Sequence, residues 1–530
     1  MKRLFYLLLL TSSGLWAQEI PAPTALMTKG TRSWIKLSWK DNADNETGYH
    51  VYWSATKQKP GTPSVTLPAN ASHFYIQQVK EKTLYHVWVE AFNNREKSKA
   101  LQGSVITTTQ WSLDTAAARH PDIPCSSAVP EGMTIFWQDE FNDELLDRNK
   151  WHTTYYSNID FLRKDNLQEM RAGLLPEAAY QLTGHSINIF TNDSLPAKVF
   201  YPSNGRKISS IQTYDWRTNE NLLDNSRGGY FEVRVKRSAS GQPKGLNTAY
   251  WFDSPGPDLK YYLQEGTTLE GTSGVRPKGQ VFEIDVFENL DAQFVLHGHV
   301  DKKGQFVHNL ATHIAEGFEH KDNWVVHGIL WTPNSIKHYI NGKLIKAYTD
   351  KHQIYSPNHF MNVFLGSYGA GGSVNMEVDY IRGYQWPLEG NNELPNPGFE
   401  ANTSLLPWEG TGTLATDKKR NGLHGLSLQP GQEMEQYVYL NNNTDYQLSY
   451  WQNGNSPLYA AVENVKLVTG ELQQAAAQTH AGKAHFSQQQ LRFKTGKEYG
   501  NNMKTVRIYF KNTGKEAIVL DDVTISKAGK

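Results

Sequence analysis

The sequence predicts an all-β protein of three units, and three observations predict it. Between residues 20 and 110, short segments alternate apolar and polar residues at regular spacing, at Trp34 to Trp39, Tyr49 to Trp53 and Leu84 to Ala91, which is the period-two signal of strands. At the centre, Glu283-Ile284-Asp285-Val286-Phe287-Glu288 interleaves its acids with β-branched and aromatic residues that favour a strand. Beyond Trp386-Pro387 the same texture returns in Tyr446-Gln447-Leu448-Ser449-Tyr450-Trp451 and Val519-Leu520-Asp521-Asp522-Val523. A chain of 530 residues can build several separate cores.

Taken in order, residues 1–17 read as a secretory signal peptide: Lys2-Arg3, the apolar run Leu4 to Leu10, then small residues ending in Leu15-Trp16-Ala17. The run is too short to span a bilayer, and no cysteine follows it to carry a lipid. The mature chain is therefore expected free in the periplasm or the medium, without a membrane anchor, and as a monomer. Residues 20–110 read as a small β-sandwich with its aromatics in the core. Its Leu37-Ser38-Trp39, Gly48-Tyr49-x-Val51-Tyr52 and Tyr85-x-Val87-x-Val89-x-Ala91 strands resemble a fibronectin type III module. Residues 111–132 lose the alternation and gain Pro, Ala and Ser, the composition of a linker. The linker holds Cys125, the only cysteine, so no intramolecular disulfide is available.

The central strand sets the chemistry. Alternation puts Glu283 and Asp285 on one face and would send Glu288 to the other. One inserted residue, a β-bulge at Val286-Phe287, restores Glu288 to the face of the other two, and bulges are frequent beside active sites. Crowded carboxylates repel, and glycoside cleavage gives a reason to keep them: a retaining glycosidase needs an ionised nucleophile and a protonated acid about 5–5.5 Å apart. Four ladder steps of ~3.3 Å separate the two Glu backbones by about 13 Å, so their side chains must lean together over a curved strand. A solvated acidic face on an edge strand is the plain alternative.

The surroundings decide between them. They are Phe136-Trp137-Gln138-Asp139-Glu140-Phe141, Leu146-Asp147-Arg148-Asn149-Lys150-Trp151, Gly229 to Lys236, Leu330-Trp331-Thr332-Pro333, Tyr339-Ile340-Asn341-Gly342-Lys343 and Met376-Glu377-Val378-Asp379-Tyr380-Ile381-Arg382. In this order and spacing, residues 133–388 resemble glycoside hydrolase family 16, the β-jelly-roll enzymes that include laminarinases, agarases, porphyranases and carrageenases. The resemblance implies Glu283 as nucleophile, Asp285 as its assistant, Glu288 as acid and base, and no catalytic cofactor. It implies that Trp251 stacks on the sugar beside the cleavage point. His297 matches a cleft histidine of the carrageenase branch, and His299 is an equal candidate by alternation. A Trp-Pro pair common in laminarinases is missing before Ala249. The Gly- and Pro-bearing segment from Ser254 to Gly279 is expected to wall a cleft and to set substrate choice.

Residues 391–527 carry Asn396-Pro397-Gly398-Phe399-Glu400, Trp408, Trp451 and the Asp521-Asp522-Val523 strand. Together these resemble the jelly-roll carbohydrate-binding modules attached to polysaccharide hydrolases. That resemblance implies a structural Ca²⁺ at Glu400 and Asp521, with ordinary surface carboxylates as the alternative. Trp408 and Trp451 are open to two readings, sugar platform or core.

Composition narrows the partners. The 53 basic residues balance the 53 acidic ones, which argues against nucleic acid and limits how sulfated a substrate can be. Local basic clusters such as Arg163-Lys164 and Lys302-Lys303 would meet an occasional sulfate, with solvated surface as the alternative. The expectation is a secreted, endo-acting, retaining β-glycosidase that cuts β-1,4 linkages of red-algal cell-wall galactan, furcellaran (hybrid β/κ-carrageenan) first. Agarose, porphyran and laminarin are alternatives within the family. A glycan-binding scaffold without catalysis is the alternative of another class.

Overall fold

The computed structural model describes residues 19–30, 34–77, 79–80, 82–107, 128–155, 178–195, 207–215, 220–254, 268–269, 272–273, 281–288, 293–299, 306–315, 324–349, 354, 356–401, 404–466, 470–498 and 503–529. The signal peptide, Cys125, both basic pairs and most of the Ser254–Gly279 segment lie outside them. Among the described residues every regular element is a strand, and the sheets are antiparallel.

The first unit is a sandwich of a three-stranded sheet, Thr24–Gly30, Trp34–Lys40 and His73–Gln77, and a four-stranded sheet built on Gly48–Ser54 and Leu84–Phe92. Trp39, Tyr49, Val51, Val87 and Val89 are buried between them. The alternation in sequence is thus the alternation of a core face and a wet face.

The central sandwich, residues 133–388 of the sequence reading, belongs to the second unit. Its eight-stranded layer runs Lys343–Tyr348, Ser335–Ile340, Trp324–Thr332, Gly229–Ser240, Ser373–Gln385, Ile187–Thr191, Tyr180–Leu182, and Thr134–Asp139 also pairs with Ser373–Gln385. Its six-stranded layer runs Lys207–Gln212, Asn362–Ala370, Lys244–Asp253, Val281–Glu288, Gln293–His299, Phe306–Ile314. The layers meet over Phe231, Tyr250, Phe252, Ile284, Phe287, Ile329 and Trp331. Phe231 of one layer meets Phe252 of the other edge to face at 5.3 Å, a geometry that adds about 0.5–1.5 kcal/mol beyond burial. The sequence motifs at the two ends of this domain are explained by one clamp. Arg382, 1% exposed, forks onto Glu140 at 2.6 and 2.7 Å, and Trp151 Nε1 donates to Asp139 at 2.7 Å.

Residues 391–527 form two five-stranded sheets closed over Phe399, Trp408, Leu448, Tyr450 and Phe510. Trp408 is 2% exposed and packs on Phe399 and Phe510, so it is core and no sugar platform. Trp451 is half-buried under the Arg420 guanidinium at 3.9 Å. This module is fastened to the central sandwich: Tyr439 OH donates to the Pro357 carbonyl at 2.7 Å, and Asn358 Nδ2 donates to the Met503 carbonyl at 2.8 Å.

Candidate active site

The Val281–Glu288 strand sits between Lys244–Asp253 and Gln293–His299, away from either edge of its sheet. Both neighbours register an extra residue. Asp253, Phe252 and Trp251 face Glu283, Ile284 and Asp285, whereas Tyr250 faces Phe287. On the other side Glu283 faces His297 and Asp285 faces Val295, but Glu288 faces Gln293. The bulge therefore falls between Asp285 and Glu288, as the alternation argument requires. Ile284, Val286 and Phe287 are buried in the core at 0% exposure, and the three acids share the outer face. A second irregularity at the strand's start, between Val281 and Glu283, lets Val281 also face the core.

The inserted residue is anchored from below. The Phe287 ring lies 4.3 Å from the Arg237 guanidinium and 4.6 Å from the His327 ring, both buried. These contacts hold the kink that aims Glu288.

Above the sheet the acids are tied to specific partners. Asp285 Oδ2 is 3.0 Å from His297 Nε2, and one atom each of Glu283, Asp285 and His297 falls within 4.8 Å of the others. Asn247 Nδ2 donates to Glu288 Oε1 at 3.0 Å. Burial pushes the Glu283 carboxyl up to about 8, with the charges of Asp285 and Glu288 adding and His297 opposing. Asp285 is likewise held well above the usual carboxylate range, by burial first and then by Glu288 and Asp253. Burial and mutual repulsion thus favour retained protons on Glu283 and Asp285.

Trp251 does face the cleft side, directly across from Asp285. It is only 7% exposed, because Phe364 stacks on it at 4.0 Å and its Nε1 donates to Tyr368 OH at 3.3 Å. Tyr368 reaches that position by lying over Gly366, where an added Cβ would meet its hydroxyl at 2.5 Å. Trp251 is therefore part of the cleft floor. His297 joins the acids; of His299 the structure describes the backbone alone. Glu400 and Asp521 lie elsewhere and converge on one loop: Glu400 accepts from the N–H groups of Leu423 and His424, and Asp521 from those of Arg420 and Asn421. Sequence reasoning missed Asp253, Asn247, Phe364 and Tyr368. Their only signal is their register across from the acid strand and its neighbour.

Residues 272–382 match the family model described as glycosyl hydrolases family 16, and residues 21–104 match the fibronectin type III domain. Among curated proteins the chain is similar to glucan endo-1,3-beta-glucosidase A1 of Niallia circulans, 25% identical over 48% of this chain and 38% of that protein. It is also similar to keratan-sulfate endo-1,4-beta-galactosidase of Sphingobacterium multivorum, 24% identical over 46% of this chain and 60% of that protein. The matches thus span 38% to 60% of the length of these two relatives. Among solved structures, a GlcNAcα1-4Gal-releasing endo-β-galactosidase from Clostridium perfringens matches with a TM-score of 0.36 and 16% identity, over 60% of this chain and 82% of that one. The stretch from just before the acid strand to the closing strand is thus similar to glycosyl hydrolases family 16, and residues 21–104 to a fibronectin type III domain.

Proposed function

We propose that the chain is a secreted, endo-acting, retaining β-glycosidase whose substrate is a β-1,4-linked galactan of red-algal cell walls, with furcellaran as the first choice. The carrying observation is the bulge that turns Glu288 onto the face of Glu283 and Asp285. Glu283 attacks the anomeric carbon while Glu288 protonates the departing glycosidic oxygen; Glu288 then takes a proton from the water that releases the sugar from Glu283. His297 grips Asp285, and Asn247 orients Glu288. The galactan reading is supported by the histidine at 297, by the absent Trp-Pro pair and by a relative named for endo-1,4-β-galactosidase activity. Laminarin is the second reading, favoured by the relative named as an endo-1,3-β-glucosidase.

Reducing ends released from furcellaran, κ-carrageenan, agarose, porphyran and laminarin rank the substrates. Release from none of them leaves the glycan-binding scaffold as the answer. Glu283→Gln and Glu288→Gln should each lower kcat by orders of magnitude while polymer binding persists. Proton NMR of the first product should show the β-anomer; an initial α-anomer overturns the two-step mechanism. The structural calcium belongs to the same proposal, with Glu400 and Asp521 as its holders. A lower Tm in EDTA supports an ion there, and an unchanged Tm assigns both carboxylates to the loop's N–H groups alone.

A further inference from the structure

A cavity of about 270 Å³ lies where the catalytic sandwich meets the C-terminal module, and none of the residues around the acid strand lines it. One wall is the outer face of the eight-stranded layer, where Lys337 and Tyr339 alternate with the buried Ile336, His338 and Ile340. The other wall is the Glu433–Leu440 strand, which contributes Tyr437. Asn334 of the catalytic sandwich donates to Glu409 of the module at 3.2 Å and closes the rim.

The lining specifies a ligand. Tyr339, Trp386 and Tyr437 supply flat apolar surface. Among the described residues no carboxylate lies within ion-pair distance of Arg227 or Lys337, although both line the space; Arg227 is seen to donate to the Trp386 carbonyl at 3.0 Å. Glu393 and Glu409 stand against these two cations, and the third lining carboxylate, Glu435, is already paired with Arg507 at 2.5 Å, so the cavity carries no net demand for charge. The Gln436 side chain, 1% exposed, leaves its Oε1 without a donor, a state that a ligand hydroxyl would relieve. A hydrocarbon ligand would leave these polar groups dry, and an anion would face three carboxylates. A neutral pyranose offers a C–H face to the rings and hydroxyls that both donate and accept.

We propose that this cavity is a second carbohydrate site that binds a neutral sugar ring, held jointly by the two modules and separate from the cleft. Its volume, just below the usual ~300–1,000 Å³ of small-molecule pockets, suits a chain end or a short oligosaccharide. The choice of sugar rests on the glycosidase reading; the existence of the site does not. Full-length Glu283→Gln protein, which should not cut its ligand, is titrated calorimetrically with neoagarotetraose, with laminaritetraose and with a κ-carrageenan tetrasaccharide. The expected result is two binding events with a neutral sugar, one of which weakens at least tenfold when Tyr437→Ala is added. Near-UV circular dichroism checks the fold of that variant, and Lys337→Met, on a half-buried side chain, provides an independent loss at the same site. A single event in the parent, or two events untouched by either substitution, overturns the site. Binding there of the sulfated sugar alone overturns the neutral ligand. A chain that cuts no polymer yet keeps the Tyr437-dependent event would sink the glycosidase and leave this site standing.

Discussion

Glu283 has to lose a proton that its surroundings favour. Its ordinary value of 4.5 rises to about 8 in the folded chain, so between those values the folded state holds a proton that the unfolded state has released. Stability contributed at this residue is therefore full at low pH and falls as pH climbs through that window. Glu283→Gln should raise Tm relative to the parent at pH 8 and make little difference at pH 4, as thermal scans at the two pH values would show. Activity runs the other way, because the nucleophile must be ionised: kcat/KM should climb through an acidic limb well above the usual carboxylate range, belonging to the coupled Glu283–Asp285 pair. Asp285→Asn removes a negative neighbour and should move that limb to lower pH; His297→Gln removes the opposing influence and should move it higher. Profiles that shift together, or not at all, would contradict this electrostatic account. The acids were legible in the sequence because strand alternation and one inserted residue assign their faces locally; alternation left His297 and His299 equal, and only the family resemblance pointed to His297. Asp253 and Asn247 were not, since their places depend on register with a strand some thirty residues away in the chain.

The acid strand shows why the bulge is a device and not a defect. Were these same residues a regular strand with no bulge, Glu288 would enter the sandwich core, where an unpaired carboxylate costs several kcal/mol or stays protonated. Phe287 occupies that inward place, on Arg237 and His327. Phe287→Ala should lower stability by ~3–5 kcal/mol, the usual loss for a large buried ring. It should also reduce kcat more than it raises KM, because the aim of Glu288 loosens while the rest of the cleft remains. Denaturant melts and steady-state kinetics on one substrate measure both. The strand's location inside its sheet was not legible, and neither was the burial of Trp408 and Trp251. An aromatic on an alternating strand reads the same whether it is open to a sugar or covered: Phe510 covers Trp408 within its core, and Phe364, beside Trp251 on the same face of one sheet, covers Trp251.

On the scale of the whole chain, the three β units and their order were legible from alternation and turn-rich junctions. The fastening between the catalytic sandwich and the C-terminal module was not, because it runs through backbone carbonyls of Pro357 and Met503 that no side-chain pattern reveals. Tyr439→Phe removes one of these ties and should lower the melting temperature by the equivalent of ~0.5–1.5 kcal/mol, the net worth of one such bond. An unchanged melt would mean that this bond adds nothing to the junction and that the Asn358 tie and packing hold it. The clamp of Glu140 on Arg382 has a further consequence. Thr134 and Gln385 lie opposite one another on adjoining strands, so the polypeptide enters and leaves the central sandwich at neighbouring points. Such a body can be spliced as a cassette, or given new ends elsewhere and a short joint here, without drawing any strand out of its layer.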